Sequence, residues 1–349
     1  MRKRNEWDVL KCLATLLVVI GHIVILYKQG GSFPAMENRY LAMFADVIYL
    51  FHMPLFVTIS GAVYAIGKQS GKYQDFKSLL VNKVRRLLVP YYFVAYLFVV
   101  PTILGLEMNR FESNIDYFIE IFLGTNCRHL WYLWALFWMF IIVRFCKGRY
   151  LGNTIYCLTI AMILSVGCSY WVGTDWFSFR MALHYLPFFF LGEWLVAKGR
   201  ISMKMWKPVT LVLLSGCVLK LTDSRWMDSL FSLWMNVGIV VVICLFVRKV
   251  SVEKFFSHSF NVLILRDSFG VYLFHVPVIY IMVSYLQNYP IYVLLPLVGV
   301  VSIIGSLFFI SIQIHYYLFP HECSIRLQHR FFLRLPLYHS RFTQIIKNL

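Results

Sequence analysis

Ten apolar stretches of roughly bilayer-spanning length recur along this 349-residue chain, each bounded by charge or by Gly and Pro. They cover approximately 9–28, 41–66, 84–105, 129–146, 151–172, 179–197, 206–221, 228–247, 268–285 and 291–317. A helix needs about 20 apolar residues to cross a hydrocarbon core about 30 Å thick, and inside that core its backbone polar groups must pair internally. A chain spent almost entirely on such stretches is expected to fold as an all-α polytopic bundle of about ten transmembrane helices. Composition agrees, with 60% hydrophobic and 14% charged residues and a mean hydropathy of +0.69. A soluble domain is only about half apolar and about a quarter charged. The seventh stretch is short and contains Lys220, and 111–124 mixes polar and apolar residues in the manner of a surface helix. The first stretch has no small-residue cleavage site and is expected to remain as an anchor.

Charge placement sets the orientation. With the N-terminus inside, 25 of the 33 Lys and Arg residues fall on cytoplasmic segments, six on outer ones and two within spans. The outer loop 106–128 is instead rich in acid, with Glu107, Glu112, Asp116 and Glu120. Both termini are therefore expected in the cytoplasm, with one transmembrane domain over 1–320 and a basic interfacial tail over 321–349. The net charge of +17 is explained by this topology, so the partner it implies is the lipid bilayer and not nucleic acid. Of the eight cysteines, only Cys127 sits in an outer loop, and no disulfide is expected. There is no C-x-x-C pair and no zinc spacing, so no metal site is expected either.

Ionisable residues inside spans are costly and therefore informative. In the first stretch, Asp8 and Lys11 are three apart and can pair at the cytoplasmic end. Lys11 and His22 are eleven apart, almost three whole turns, which puts both on one face about 16 Å apart along the axis. The blander alternative is a snorkelling lysine and a satisfied interior histidine. The second stretch reads Phe51-His52-Met53-Pro54 and continues to Ser60-Gly61, a distorted helix lining something polar or simply a kink with a small-residue packing site. Lys83, Arg85 and Arg86 open the third, where a positive-inside anchor is the plain alternative. His129, ahead of Trp131-Tyr132-Leu133-Trp134, reads as an outer-interface residue. Glu193 lies near the inner end of the sixth stretch, and His275 lies about 10 Å into the ninth, two residues before Pro277.

Together these residues resemble the acyltransferase-3 family of bacterial integral-membrane O-acyltransferases, over roughly 5–320. The resemblance is carried by Asp8-x-x-Lys11-x-x-Ala14 leading to His22, by Phe51-His52-Met53-Pro54-Leu55-Phe56 ending in Ser60-Gly61, and by Lys83-x-x-Arg86 before Pro90. Weaker matches are Leu130-Trp131-Tyr132-Leu133, Phe189-Phe190-Leu191-Gly192 and Tyr272-Leu273-Phe274-His275. Where the family commonly has arginine, this chain has Lys11, which keeps the charge without the bidentate fork.

The resemblance implies an enzyme of the bacterial inner membrane. It would move an acyl group, most often acetyl, from cytoplasmic acyl-CoA to a hydroxyl of a cell-surface or lipid-linked carbohydrate, with no tightly bound cofactor. His22 is then the base or nucleophile, with Lys11 and Asp8 as further catalytic residues of the same helix. Lys83, Arg86 and Arg85 would meet the anionic end of the donor, and His52, Ser60, His275 and Glu193 would line the site. A transporter or flippase for a polysaccharide precursor, with histidine and lysine along its pathway, is the alternative. The orientation is testable: reporter fusions after Gly71 and after Asn114 should report opposite sides of the membrane, and the same side for both would refute the ten-helix arrangement.

Overall fold

The computed structural model describes residues 5–28, 37–73, 75–108, 113–125, 128–146, 154–171, 173–197, 210, 225–286 and 288–316. The first helix, α1 (Glu6–Val24), starts at a capping box: the Asn5 side chain accepts from the Asp8 N–H at 3.2 Å, and the Asn5 N–H donates to the Asp8 carboxylate at 2.9 Å. A 3₁₀ turn, Ile25–Tyr27, ends it. The second, α2 (Arg39–Gln69), is capped by the Asn38 side chain, which accepts from the N–H groups of Tyr40 and Leu41. Lys28 pairs with Asp46 at 2.7 Å, fastening the end of α1 beside the start of α2.

The third helical run, α3 (Phe76–Gly105), alternates between α and π geometry. Its π segments, Val84–Leu88 and Ala95–Val99, stand just before Pro90 and Pro101. Proline has no N–H and its ring collides with the carbonyl four residues back, so a wider turn at that point lets the helix pass through without breaking. Asp75 caps the run, and the Ser78 backbone N–H, 2.8 Å away, holds its carboxyl below the usual carboxylate range. The run starts eight residues ahead of the apolar stretch, so the basic cluster lies on helix and not in a loop.

The mixed segment forms a short helix, α4 (Asn114–Phe122), as the sequence anticipates. It is bound to the side of α3 by three tyrosines: Tyr91, Tyr92 and Tyr96 donate to the carbonyls of Ile121, Phe122 and Phe118. Then follow α5 (Trp131–Cys146), entered through a 3₁₀ turn at Arg128–Leu130, α6 (Thr154–Gly167), α7 (Phe179–Ala197), α8 (Arg225–Val247), α9 (Ser259–Leu286) and α10 (Ile291–Tyr316). Nine of the ten expected stretches coincide with these helices, and the seventh, 206–221, lies outside the described residues apart from Thr210. Six helical runs are long and apolar enough to cross a membrane, and two further apolar helices are shorter. The compact unit ends at Ser306, and the expected tail at 321–349 is outside the described residues. The cysteines within the described residues, Cys12, Cys146, Cys157, Cys168 and Cys244, are free thiols.

At the centre, α2 packs on α7, while α1 packs on both α2 and α9. The α2–α7 contact depends on two glycines. A methyl group at Gly61 would overlap the Phe189 carbonyl, and one at Gly192 would overlap the Thr58 carbonyl. Small residues that let two backbones meet are the usual means of joining helices in lipid, where apolar association has little driving force. Both glycines therefore have a packing role, which is what the small-residue reading of Ser60-Gly61 anticipates. Gly192→Ala is expected to destabilise the protein by about 1–3 kcal/mol, the cost of overpacking. Gly167→Ala, where nothing stands within 4 Å, should be neutral or stabilising. Thermal unfolding of the two purified variants in detergent distinguishes them.

Candidate active site

One face of α2 carries the frame of the site. Tyr49, His52, Phe56, Ser60 and Tyr64 follow at intervals of three and four residues, so they form a stripe. Fifteen residues separate its ends, about 22 Å of helix axis. Histidines collect at one end and the buried Lys83 at the other.

At the histidine end, α1 supplies His22, α9 supplies His275 and the turn before α5 supplies His129. Ring centroids are 4.9 Å apart for His22 and His275, 5.2 Å for His129 and His275, and 6.1 Å for His22 and His129. Tyr49 hydroxyl lies 3.2 Å from His22 Nδ1, and the Tyr49 ring is 4.6 Å from that of His52. Backbone carbonyls fix the tautomers of the other three. His52 Nδ1 donates to Ile48 O at 2.8 Å. His275 Nδ1 donates to the carbonyls of Val271 and Tyr272, at 2.9 and 2.8 Å. His129 Nε2 donates to Leu273 O at 3.1 Å. A neutral imidazole that donates through one nitrogen carries a bare lone pair on the other. His275 Nε2 and His129 Nδ1 are such atoms, buried and without a hydrogen-bond partner in the protein. Buried polar atoms are nearly always partnered, so these two are acceptors waiting for a donor.

The prolines noticed in the sequence explain part of this arrangement. Pro277 has no N–H to offer the carbonyl of Leu273 four residues back, and that carbonyl is the one that accepts from His129. The main chain holds His129 a second time, because the Tyr272 hydroxyl donates to its carbonyl oxygen. His129 is consequently 5% exposed and belongs to the cluster, which corrects its reading as an outer-interface residue. Its signal in the sequence is a histidine two residues before the aromatic pair Trp131-Tyr132 of the family pattern. Tyr49 was also missed, although it stands three residues before His52 on the same face.

Along the stripe, Ser60 Oγ lies 2.7 Å from the Tyr132 hydroxyl, and the Tyr132 ring lies 5.6 Å from that of Tyr272. Ser60 is thus joined to the cluster through two tyrosines. At the far end Lys83 is 8% exposed. Its ammonium sits 3.4 Å from the centroid of the Phe140 ring and 4.7 Å from that of Tyr73. Tyr64 completes the box, stacked on Tyr73 at 5.3 Å. Arg85 and Arg86 are exposed, and Arg86 is near enough to act electrostatically on Lys83. Glu193 is buried on α7 and, with Arg144, acts electrostatically on Tyr64.

The expected site residues therefore divide between two places. His22, His52 and His275 come together with His129, and Ser60 is linked to them, whereas Lys83 and Glu193 belong to the opposite end. Asp8 serves the capping box of α1, and half-buried Lys11 lies one turn further on with its carbonyl accepting from Thr15 at 2.8 Å. Lys11 stands about three turns from His22 and Asp8 almost four. Among the described residues, no group of three His, Cys, Asp or Glu side chains is arranged to hold a metal ion.

Among the described residues, an all-helical bundle with six runs long and apolar enough to cross a membrane, enclosing a buried histidine cluster, has the architecture of a multi-pass membrane protein. Residues 4–315 match the family described as an acyltransferase domain, and the chain belongs to that acyltransferase-3 family. Nodulation protein NolL of Mesorhizobium japonicum is 28% identical over 146 residues, covering 40% of this chain and 35% of the relative. Nodulation protein NolL of Sinorhizobium fredii is 26% identical over 161 residues, 45% of this chain and 40% of the relative. The chain thus matches well under half the length of these curated relatives. No solved structure matches.

Two substitutions test the cluster. Tyr49→Phe, which removes one hydrogen bond to His22, should slow acyl transfer about two- to tenfold. His129→Leu should slow it about 100-fold or more if the ring takes part in proton transfer. His184→Leu, outside the cluster, serves as the control and should stay within a few-fold, with each rate normalised to protein in the membrane.

Proposed function

We propose that this member of the acyltransferase-3 family is an O-acyltransferase, with acetyl the expected group, that takes its acyl group from cytoplasmic acyl-CoA and delivers it to a carbohydrate hydroxyl. In this reading it spans the bacterial inner membrane ten times with both termini in the cytoplasm, as the distribution of basic residues favours. The observation that carries the chemistry is the buried cluster of His22, His129 and His275, which holds two acceptor nitrogens without protein partners.

The donor has a strongly anionic nucleotide end and a long thin arm. Exposed Arg85 and Arg86 offer cations to the anionic end. The arm follows the α2 stripe past Tyr64, Ser60 and Phe56, and the thioester arrives near His22. The acceptor hydroxyl gives its proton to a histidine as its oxygen attacks the thioester carbonyl. The tetrahedral adduct then collapses, the C–S bond breaks, and the departing thiolate recovers the proton. In the variant route a histidine nitrogen attacks first, releases the thiol and passes the acyl group to the hydroxyl in a second step. Water excluded by the aromatic surroundings of the cluster does not compete for the thioester.

The decisive variant is His22→Ala. Acyl transfer from radiolabelled acetyl-CoA should fall about 100- to 10,000-fold with membrane insertion intact. Activity within a few-fold of wild type would remove His22 from the mechanism. For the donor, Arg86→Lys should raise the Michaelis constant for acyl-CoA about ten- to hundredfold, because lysine keeps the charge and loses the fork. An unchanged donor constant would make the cluster a topological anchor only.

A further inference from the structure

Behind the histidines, at the opposite end of α5 from the Lys83 box, lies a cleft of about 260 Å3 that the acyl-transfer chemistry above does not use. It is lined by Thr125, Arg128, Trp131, Asp175, Ser178 and Arg180, among others. Trp131 and Phe140 mark the two ends, nine residues or about 14 Å apart. The volume is roughly that of nine liquid waters, room enough for one sugar ring.

The walls are built and not incidental. The Phe177 N–H donates to Leu123 O at 2.7 Å and the Ser178 hydroxyl donates to Gly124 O at 3.3 Å, tying the segment before α7 to the end of α4. Gly124 has a φ of +65°, and a methyl group there would press on Phe177 Cα and the Trp134 ring at 3.1 Å. Arg128, Phe177 and Ser178 also hold φ near +50°, conformations that non-glycine residues adopt only when their surroundings impose them.

The polar groups are lopsided. Asp175 spends both carboxylate oxygens on the N–H groups of Arg180 and Met181, at 2.7 and 3.3 Å. Glu120, outside the lining, is turned onto the Thr125 hydroxyl. The Nε–H groups of Arg128 and Arg180 are buried and make no hydrogen bond, and Arg180 has only a long ion pair with Asp175 Oδ2, at 3.9 Å from its Nε. Two guanidinium groups with donors to spare call for a carboxylate or phosphate. Beside them the Trp131 ring stacks on Tyr185 at 5.4 Å, giving an aromatic platform of the kind the C–H face of a sugar covers. Arg128 is followed in the chain by His129 of the cluster, so their Cα atoms are about 3.8 Å apart.

We infer that this cleft is the acceptor subsite and that it takes a carbohydrate bearing an acidic group, held through Arg128 and Arg180 with its ring against Trp131. The inference rests on the acyl-transfer reading above. Donor and acceptor then reach the histidines from opposite ends of the bundle.

Binding can be measured without turnover, which separates this inference from the catalytic one. Purified protein in detergent is titrated by calorimetry with a glucuronate-containing disaccharide, glucose 1-phosphate, a neutral disaccharide and glycerol 1-phosphate. At least one acidic sugar should bind about tenfold or more tighter than the neutral one, and this margin should shrink as salt is raised. The stronger of the two acidic probes identifies the anion as carboxylate or phosphate. Arg128→Gln and Arg180→Gln should each abolish the preference, and His22→Ala should keep it within about twofold even though transfer is lost. The salt series on unaltered protein retains the test if either arginine variant fails to fold. Equal binding of neutral and acidic sugars, no binding of either, or glycerol 1-phosphate matching the acidic sugars overturns the inference, the last by making the arginines lipid-headgroup anchors.

Discussion

Hydrocarbon offers a backbone carbonyl nothing to bond to, so each proline inside a spanning helix creates a debt that some other group must settle. This chain puts those debts to use. In α3 the helix widens into π turns before Pro90 and Pro101. In α9 the carbonyl left without its helical donor by Pro277 is taken by His129, a residue 144 positions away in sequence. That single bond joins α9 to the entry of α5 and fixes the tautomer of a ring in the candidate active site. The break in helix regularity and the assembly of the histidine cluster are therefore one event.

The second constraint is distance between backbones. Gly61 and Gly192 allow α2 and α7 to meet at carbonyl contact, and α2 carries the stripe from Tyr49 to Tyr64. With α2 clamped on one side by α7 and packed on the other by α1, its polar face is held in register with His22. A buried ammonium in an aromatic box at one end and unpartnered imidazole nitrogens at the other give the stripe two chemically distinct termini. That polarity is what an enzyme joining a charged donor to a hydroxyl acceptor across a bilayer would require.

Much of this was legible in the sequence because membrane folding leaves strong periodic marks. The apolar stretches predict nine described helices closely, and the histidine–proline pairs at His52 and His275 fall at the site. What was not legible depended on long-range contact. His129 reads as interfacial because the carbonyl that draws it inward belongs to another helix. Lys83 and Arg86 share a motif, yet one is buried against aromatics and the other is exposed, a split the π turn and the position of Phe140 decide. Asp8 shares a motif with His22, but its carboxylate caps the helix start, almost four turns away from the ring. Motif membership therefore gathers residues that the fold assigns to separate tasks.

The central claim is that the His22–His129–His275 cluster is where the acyl group changes hands. The most direct test is a structure of the protein bound to a thioether analogue of acetyl-CoA that cannot be cleaved. The account predicts the acyl carbonyl in the cluster, with a ring nitrogen within about 3.2 Å of the attacking position or one water away, and the nucleotide on the Arg86 side. An acyl group lodged elsewhere in the bundle, with the histidines still empty of ligand, would contradict it.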